Sequence, residues 1–310
     1  MTEQTLPTDT PGRPRLAWIG TGIMGGTLCG HLLDAGYELV VSNRTRARAD
    51  ALVERGARWA DSPAEAAAGA DVVFTMVGYP DDVREVVLGQ QGTLGAVADG
   101  ATLVDLTTSD PALAVEIAER AGQRGVASLD APVSGGDVGA QGGTLAIMVG
   151  GDGDALARVH PLLDLFASSI AHQGGPGAGQ HTKMANQILV ASATIGVCEA
   201  LLYAHRAGLD LVATIGAVTD GAGRSWALEH LGPRIAAGDL EPGFIAEHLL
   251  KDLRIALDEA RRLDLSLPGL TLAEQLYAAL VRNGHARSGT QALVDALATV
   301  SGVHWPTATD

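Results

Sequence analysis

The chain has 310 residues, enough for about two domains of roughly 150 residues each and for a substantial buried core. Its 46% of hydrophobic residues and 40 glycines indicate a globular α/β protein and exclude a disordered or fibrous one. The formal net charge of −15 argues against nucleic acid and anionic membranes as partners, because both would repel the chain at long range.

Several features favour a cytoplasmic protein. Residues 1–14 are polar and lack the apolar stretch of a signal peptide, so we predict a disordered leader there. The two cysteines, Cys29 and Cys198, lie far apart and match neither a disulfide framework nor a redox motif. The nine histidines are scattered without ligand spacing, so no metal site is expected.

Short apolar runs alternate with helical patterns over residues 15–178, which predicts an α/β domain with a doubly wound parallel sheet. The predicted strands are Leu16–Gly20, Glu38–Ser42, Asp71–Val77, Thr102–Leu106, Val126–Asp130 and Leu145–Val149. The helices predicted between them include Met24–Ala35, Thr45–Arg55, Pro80–Leu88 and Pro111–Ala121.

Residues 179–310 are predicted to form a second, all-helical domain. Its predicted helices are His181–Ala207, Arg224–Ala236, Ile245–Leu263, Pro268–Asn283 and Gln291–Val300. The apolar run 184–198 contains polar side chains and is too short to cross a bilayer, so no membrane segment is expected.

The segment 20–25 (GTGIMG) follows the first predicted strand and opens the first predicted helix, the context that a dinucleotide-binding fingerprint requires. Its first glycine permits a tight turn, the second lets backbone amides approach a pyrophosphate, and the third allows close helix packing. The alternative is a purely structural turn. The predicted cofactor contacts are Gly20, Gly22, Ile23, Met24 and Gly25.

The end of the second predicted strand, 41–46 (VSNRTR), lacks the carboxylate that usually binds the ribose of NAD(H). Arg44 can present its planar guanidinium to a 2′-phosphate, and Asn43 or Thr45 can add hydrogen bonds. The sequence therefore favours NADP(H) over NAD(H). The alternative is that Arg44 and Arg46 are solvated residues at the start of a helix.

The segment 130–136 (DAPVSGG) follows another predicted strand, and ligands of parallel sheets bind at the carboxyl ends of the strands. Backbone amides of Ser134, Gly135 and Gly136 could hold a carboxylate. The alternative is an ordinary flexible turn, and this segment by itself favours that interpretation.

Only two of the 21 basic residues are lysines, Lys183 and Lys251. An ammonium can be tuned to lose its proton whereas a guanidinium cannot, so proton transfer is one reason for a lysine to resist replacement by arginine. Chance in an arginine-rich composition is the alternative.

Lys183, Asn186 and Gln187 are spaced i, i+3 and i+4, so they share one helix face and can converge on one small molecule. We expect Lys183 in the first helical turn. A general acid at neutral pH needs a lysine pKa lowered from ~10.4 to ~7–8, and the helix dipole contributes only ~0.3–1 kcal/mol of the ~4 kcal/mol required. Burial and the positive charge of an oxidised nicotinamide would have to supply the rest. The alternative is an exposed lysine on a linking helix.

Four motifs together resemble the β-hydroxyacid dehydrogenases, a family that includes 3-hydroxyisobutyrate dehydrogenase, tartronate semialdehyde reductase and the glyoxylate/succinic semialdehyde reductases. The motifs are the glycine turn with Met24, DAPVSGG at 130–136, GxGxxxKxxNQ at 177–187 and KDL at 251–253. The resemblance covers residues 15 to 300. It implies a Rossmann domain joined by a long helix to an all-helical domain, in a homodimer or homotetramer.

The resemblance also implies residue roles. Lys183 would be the general acid/base for a small carboxylate-bearing carbonyl compound or hydroxy acid. The substrate contacts would be Ser134, Gly135, Gly136, Asn186, Gln187, Trp226 and Phe244, and further cofactor contacts would be Val77, Gly78, Thr108 and Lys251. Two positions depart from the family pattern, since Gly78 replaces a frequent proline and Glu247 stands where many relatives have lysine.

Three other functions fit parts of the sequence. Imine reductases share the architecture but usually carry Asp or Tyr at the position of Lys183. A 6-phosphogluconate dehydrogenase is disfavoured because Asn186 replaces the expected histidine. A non-catalytic NADP(H)-binding protein would need none of Lys183, Ser134 and Gln187.

Overall fold

The structure is a computed structural model that describes residues 13–305. The chain divides into two compact units, Met1–Gln180 and His181–Asp310. Most of the predicted leader, residues 1–12, lies outside the described residues. Arg13 belongs to the described part, and its Nη1 donates hydrogen bonds to the carbonyl oxygens of Ala35 (3.0 Å) and Gly36 (2.9 Å).

Nine strands form one sheet within the described part of the first unit. They are β1 (Leu16–Ile19), β2 (Leu39–Ser42), β3 (Arg58–Trp59), β4 (Val72–Thr75), β5 (Thr102–Asp105), β6 (Ala127–Asp130), β7 (Val133–Ser134), β8 (Leu145–Gly151) and β9 (Ala167–Gly174). The order is β3-β2-β1-β4-β5-β6-β8-β7, with β9 beside β8. Strands β1 to β6 pair in parallel, and β8 runs antiparallel to β6 and β7. This order confirms the predicted Rossmann sheet.

The sequence did not reveal three of these strands. β3 and β7 have two residues each, too few for a periodic pattern. β9 reads ASSIAHQG and is mostly exposed, so it lacks the apolar run by which buried parallel strands are recognised.

The helices of the first unit alternate with the strands along the chain. They are α1 (Ile23–Asp34), α2 (Asp50–Glu54), α3 (Pro63–Ala67), α4 (Pro80–Leu88), α5 (Thr93–Ala96), α6 (Pro111–Gly122), α7 (Gly136–Gln141) and α8 (Gly153–Leu163). Side-chain caps begin several of them: Asp110 accepts a hydrogen bond from the amide of Ala112, and Asp152 from that of Ala155. The single helix predicted over Thr45–Arg55 is wrong, because a 3₁₀ turn at Arg46–Arg48 precedes α2.

Both faces of the sheet are buried at β1. Leu16 and Trp18 of β1 pack in one hydrophobic cluster, whereas Ala17 and Ile19 pack in another. Because successive strand residues point to opposite faces, this division explains the continuous apolar run of the strand.

The second unit is helical. It contains most of α9 (Ala178–Arg206), followed by α10 (Leu211–Thr219), α11 (Trp226–His230), α12 (Gly232–Ala236), α13 (Ala246–Arg262), α14 (Pro268–Leu280) and α15 (Leu293–Val300). Its described residues form no strand, only an isolated bridge between Ile245 and Gly289. The single helix predicted over Arg224–Ala236 is wrong, because Pro233 lacks an amide hydrogen and occupies the first turn of a separate helix.

Among the described helices, α9 is the one that is long and apolar enough to cross a membrane. It has 29 residues and a mean hydropathy of 1.6 over its most apolar stretch, 44% of which is buried inside the protein. The helix is thus longer than the run 184–198 suggested. Core helices of soluble proteins pass the same test, so a single helix of this kind is weak evidence for a membrane protein.

The start of α9 packs tightly against the sheet. A Cβ atom on Gly179 would overlap the carbonyl oxygens of Met148 and Asp130, which leaves room only for glycine. Gly177 has φ +87°, a conformation that L side chains rarely adopt. These two glycines therefore fix where the helix begins.

Replacing Gly179 with alanine should destabilise the protein by about 1–3 kcal/mol, because backbone atoms on both sides of the new methyl group must move. A shift of the urea unfolding midpoint to lower concentration would measure this loss. Gly196→Ala is the matched control, since it lies in the same helix and its new methyl group would have no neighbouring atom within 4 Å. That variant should gain up to about 1 kcal/mol of stability, and equal effects of the two substitutions would contradict the packing argument.

Candidate active site

The turn after β1 is packed too closely for side chains at two of its glycines. Gly20 has φ +96°, and a Cβ atom there would overlap the carbonyl oxygen of Met76. A Cβ atom on Gly25 would overlap the carbonyl oxygen of Gly20. The indole Nε1 of Trp18 donates a hydrogen bond to that same oxygen at 2.9 Å. The first and third glycines of the fingerprint are therefore required by the fold itself.

The middle glycine faces open space. No atom lies within 4 Å of a Cβ position on Gly22, which immediately precedes α1. The first turn of α1 has neither a side-chain cap nor an acidic residue, and Ile23 is exposed while Met24 packs on the core. The buried hydroxyl of Thr21 has no hydrogen-bond partner among the described residues. Uncapped amides at the positive end of a helix dipole fit the pyrophosphate of a dinucleotide.

Hydrogen bonds hold the loops that follow β4 and β5. The amide of Val77 donates to Oγ1 of Thr107 at 3.0 Å. The side-chain amide of Gln180 donates to the carbonyl oxygen of Thr107 at 2.7 Å and accepts from the amide of Ser109 at 2.9 Å. Thr108, the predicted cofactor contact, is the partly buried residue between these two anchors. Sequence reasoning missed Thr107 and Gln180.

A buried carboxylate holds the beginning of α9. The two carboxylate oxygens of Asp130 accept hydrogen bonds from the backbone amides of Gly177 and Gln180, each at 2.8 Å, and the residue is 4% exposed. Burial raises the pKa of Asp130, and the backbone hydrogen bonds oppose that rise. The residue stands in the DAPVSGG motif, but its part in the fold depends on a segment about fifty positions later.

The loop after β2 is joined to the glycine-rich turn by Asn43. Its Oδ1 accepts a hydrogen bond from the amide of Thr21 at 3.1 Å, and its Nδ2 donates to the carbonyl oxygen of Thr45 at 2.8 Å. The side chain expected to contact a 2′-phosphate is therefore already engaged in holding the two loops together.

Two arginines follow Asn43 with different surroundings. The Arg44 side chain is 89% exposed, and its Nη1 lies 3.4 Å from Oδ1 of Asp82. The guanidinium carbon of Arg46 lies 5.4 Å from the ring centroid of Trp59, a cation–π contact. Arg44 is thus held only by a weak ion pair at the protein surface.

The serine and glycines of DAPVSGG form a strand-to-helix turn. Ser134 ends β7, and Gly135 (φ +137°) and Gly136 (φ +65°) adopt conformations suited to glycine before α7 continues. A Cβ atom on Gly135 would lie 2.9 Å from Cδ2 of Leu145. The segment therefore needs glycine at both positions, for conformation at Gly136 and for conformation and space at Gly135.

Lys183 is buried in the second turn of α9. The helix begins at Ala178, so Lys183 is its sixth residue and the expectation of a first-turn position is wrong. The difference arises because hydrogen bonds to Asp130 extend the helix through the glycine-rich segment. Lys183 is 6% exposed.

Burial governs the basicity of Lys183. It lowers the pKa from 10.5 to about 8, helped by the positive charge of Lys251 and opposed by the negative charge of Asp252. A shift of this size corresponds to about 3 kcal/mol, more than a helix dipole supplies. Burial is thus the largest cause of the lowered pKa, and the expected contribution of an oxidised nicotinamide stays a prediction.

A buried polar network surrounds the second part of the site. The amide Nε2 of Gln187 donates to Oδ2 of Asp252 at 2.6 Å, and Oε1 of Gln187 accepts from Nδ2 of Asn186 at 2.8 Å. Nζ of Lys251 lies 3.1 Å from Oδ1 of Asp252. That oxygen is buried without a well-oriented hydrogen bond, so its contact with Lys251 is chiefly ionic. Gln187 is 1% exposed, whereas Asn186 is partly exposed.

The structure places the two predicted pocket aromatics differently. Trp226 begins α11, is 62% exposed and stacks on His230 with ring centroids 4.4 Å apart. Phe244 is partly buried against the hydrophobic core of the second unit.

Each unit therefore groups its own share of the predicted residues. The first unit holds the glycine-rich turn, the loops after β2, β4 and β5, and the Ser134–Gly136 turn. The second unit holds Asn186, Gln187 and Lys251 in one network through Asp252, and Lys183 is buried on the same helix as Asn186 and Gln187. Sequence reasoning missed Asp252, whose signal was a carboxylate on the buried stripe formed by Leu249, Leu253 and Ala256 of α13. The described residues contain no group of three His, Cys, Asp or Glu side chains that could hold a metal ion.

Two family sequence models match the chain, one in each part. The NAD-binding domain of 6-phosphogluconate dehydrogenase matches residues 15–175. The NAD-binding domain of NADP-dependent 3-hydroxyisobutyrate dehydrogenase matches residues 177–297.

Known proteins resemble the chain along nearly its whole length. It is 47% identical to the Arabidopsis thaliana protein described as "Probable 3-hydroxyisobutyrate dehydrogenase-like 1, mitochondrial", over 98% of this chain and 91% of that protein. It is 39% identical to 2-hydroxy-3-oxopropionate reductase of Escherichia coli (strain K12), over 91% and 97%. The structure of 3-hydroxyisobutyrate dehydrogenase from Mycobacterium tuberculosis with L-serine has a TM-score of 0.84 and 32% identity, over 92% and 99%.

These matches agree with the order of the motifs and with the Rossmann sheet followed by a helical unit. The chain belongs to the β-hydroxyacid dehydrogenase family, whose members are NAD(P)-dependent oxidoreductases acting on small hydroxy acids or their carbonyl counterparts.

Proposed function

We propose that the protein is an NADPH-dependent reductase that interconverts a short semialdehyde or 3-oxo acid and the corresponding hydroxy acid, with Lys183 as general acid/base. The observation that carries the proposal is a buried amine whose pKa is lowered to about 8, on a helix face shared with Asn186 and Gln187. A nucleotide-binding module without chemistry would need no such group.

The cofactor is held by the first unit in this proposal. The uncapped amides of α1 and the space beside Gly22 receive the pyrophosphate, and Arg44 and Thr45 receive the 2′-phosphate. Val77, Gly78 and Thr108, on the loops after β4 and β5, would be further contacts of the cofactor, as would Lys251. When bound, the reduced nicotinamide supplies the hydride that the substrate carbon accepts.

The substrate carboxylate is held by backbone amides of Ser134, Gly135 and Gly136. Asn186 contacts the substrate directly, because its side chain is partly exposed. The buried Gln187 accepts a hydrogen bond from Asn186 and so orients the Asn186 side chain. Trp226 and Phe244 shape the pocket. The names of the relatives support this class of substrate, since 2-hydroxy-3-oxopropionate is a short semialdehyde acid and L-serine is a short hydroxy acid.

Lys183 supplies the proton. In the direction of reduction, its protonated amine donates a hydrogen bond to the carbonyl oxygen and then transfers the proton as negative charge develops there. In the direction of oxidation, the neutral amine accepts the hydroxyl proton. A pKa near 8 keeps both protonation states accessible at physiological pH.

The proposal includes a cytoplasmic homodimer or homotetramer. The absence of disulfide spacing between the two cysteines supports a reducing compartment. Exposed apolar side chains on α9 and α10 support self-association, with Leu189, Tyr203 and Val212 each more than 70% exposed.

Lys183→Met should abolish turnover, with kcat reduced at least about a hundredfold, because a thioether cannot exchange a proton. NADPH should still bind, as measured by quenching of intrinsic fluorescence, since the phosphate-binding turn lies elsewhere. A variant with near wild-type kcat would exclude the acid/base role.

The pH dependence of the two directions should be opposite. Reduction needs protonated Lys183, so its kcat/KM should be level at low pH and fall as pH rises through about 8. Oxidation needs the neutral amine, so its kcat/KM should rise through the same region. Profiles measured with a carbonyl acid and with its hydroxy acid test this directly.

Replacing Asp252 tests how its negative charge affects the pKa of Lys183. Asp252 raises the pKa of Lys183, so Asp252→Asn should move both profiles to lower pH. The assignment of Lys183 as general acid/base would be contradicted if kcat/KM for reduction and for oxidation changed with pH in the same direction. It would also be contradicted if the pH at which kcat/KM changes were the same in Asp252→Asn as in the wild type.

A panel of short 2- and 3-carbonyl acids and aldehydes, assayed with NADPH and with NADH, tests the cofactor preference. The wild-type enzyme should show the higher kcat/KM with NADPH. Arg44→Ser should reduce kcat/KM for NADPH about tenfold or more and leave NADH nearly unaffected, because a charge-assisted hydrogen bond to phosphate is lost. Arg48→Ser, with the same charge change in the same loop, is the control. A clear wild-type preference for NADH would refute the role given to Arg44.

A further inference from the structure

The ion pair between Arg44 and Asp82 joins the loops on the two sides of the glycine-rich turn. Arg44 follows β2, and Asp82 lies in the first turn of α4, which follows β4. Both strands pair in parallel with β1, so their carboxyl ends lie at the same edge of the sheet as the turn after β1. The pair is therefore formed at the edge where the dinucleotide is expected.

The two partners differ in how firmly they are held. The Arg44 side chain is 89% exposed, whereas that of Asp82 is 30% exposed. Asp82 stands at the amino end of α4, where the helix dipole favours a carboxylate. Its Oδ2 would lie only 3.3 Å from a Cβ atom on Gly78, so the glycine at that position leaves room for it. A ligand can thus move the guanidinium more easily than the carboxylate.

We propose that Asp82 is a specificity-determining residue that competes with the 2′-phosphate of NADP(H) for Arg44. To bind the phosphate, Arg44 must leave Asp82 or share its charge between two anions. A 2′-hydroxyl makes no such demand, so Asp82 weakens the binding of NADP(H) and leaves that of NAD(H) unchanged. This inference rests on the proposed function, in which Arg44 binds the 2′-phosphate.

The test uses two fragments of the cofactor that differ only in the 2′-phosphate, 2′,5′-ADP and 5′-AMP, with dissociation constants measured by calorimetry on the full-length protein. Asp82→Asn should tighten the binding of 2′,5′-ADP about threefold to fivefold, the range expected for an exposed ion pair. The binding of 5′-AMP should stay within experimental error, which a general change in structure would not produce.

Asp81→Asn is the matched control. It removes the same charge from the same helical turn, but the Asp81 carboxylate is exposed and raises the pKa of Arg84, whereas the ion pair of Arg44 is with Asp82. It should change the affinity for neither fragment. In an Arg44→Gln background, the gain from Asp82→Asn should disappear, because the competition needs the guanidinium.

Three results would overturn the inference. They are an unchanged affinity of Asp82→Asn for 2′,5′-ADP, a gain that persists without Arg44, and a loss of 5′-AMP binding, which would make Asp82 a ligand of the ribose. The proposed function fails separately, if the wild-type protein binds 5′-AMP more tightly than 2′,5′-ADP. The experiment therefore distinguishes an error in the cofactor assignment from an error in the role of Asp82.

Discussion

The carboxylate of Asp130 and the backbone amides that it accepts are the constraint on which the rest of the arrangement depends. Two oxygens at the end of β6 hold the amides of Gly177 and Gln180, and so begin α9 in a segment whose glycines would otherwise disfavour a helix. Gln180 in turn holds the backbone around Thr107, and Thr107 holds Val77. One buried acid thereby connects the loops after three strands with the first residues of the longest helix, and its raised pKa is the cost of keeping it out of water.

A second balance of charge governs Lys183. Removing the amine from water favours its neutral form, while Asp252 favours the charged form, and the pKa settles between the two. Asp252 shares its negative charge with Lys251 and accepts a hydrogen bond from Gln187, so it opposes the effect of burial without forming an ion pair with Lys183 itself. The network can therefore keep a lysine titratable near neutrality in an interior that would otherwise leave it neutral.

Local sequence patterns predicted most of the fold and many of the candidate residues. They did not predict residues whose role depends on a hydrogen-bond or ion-pair partner that is distant in sequence. The apolar runs of β1, β4, β5 and β6 and the spacing of the glycines after β1 are patterns visible in the local sequence, so they could be predicted. The start of α9 could not, because the acceptor that stabilises it is Asp130. The same limit applies to Asp252 and Asp82, whose partners Gln187 and Arg44 lie on other elements. The strands β3 and β7 are too short, and β9 too exposed, to show the apolar pattern by which strands are predicted.

The single amide of Asn43 has a consequence for anyone who wishes to redesign the nucleotide preference. Because the side chain of Asn43 accepts a hydrogen bond from the amide of Thr21 and donates one to the carbonyl oxygen of Thr45, the loop proposed to bind the adenosine and the turn proposed to bind the diphosphate are mechanically coupled. Exchanging this residue would disturb both ends of the dinucleotide at once. Engineering of selectivity is better confined to the solvent-facing positions beyond it, where changes in charge leave the backbone scaffold intact.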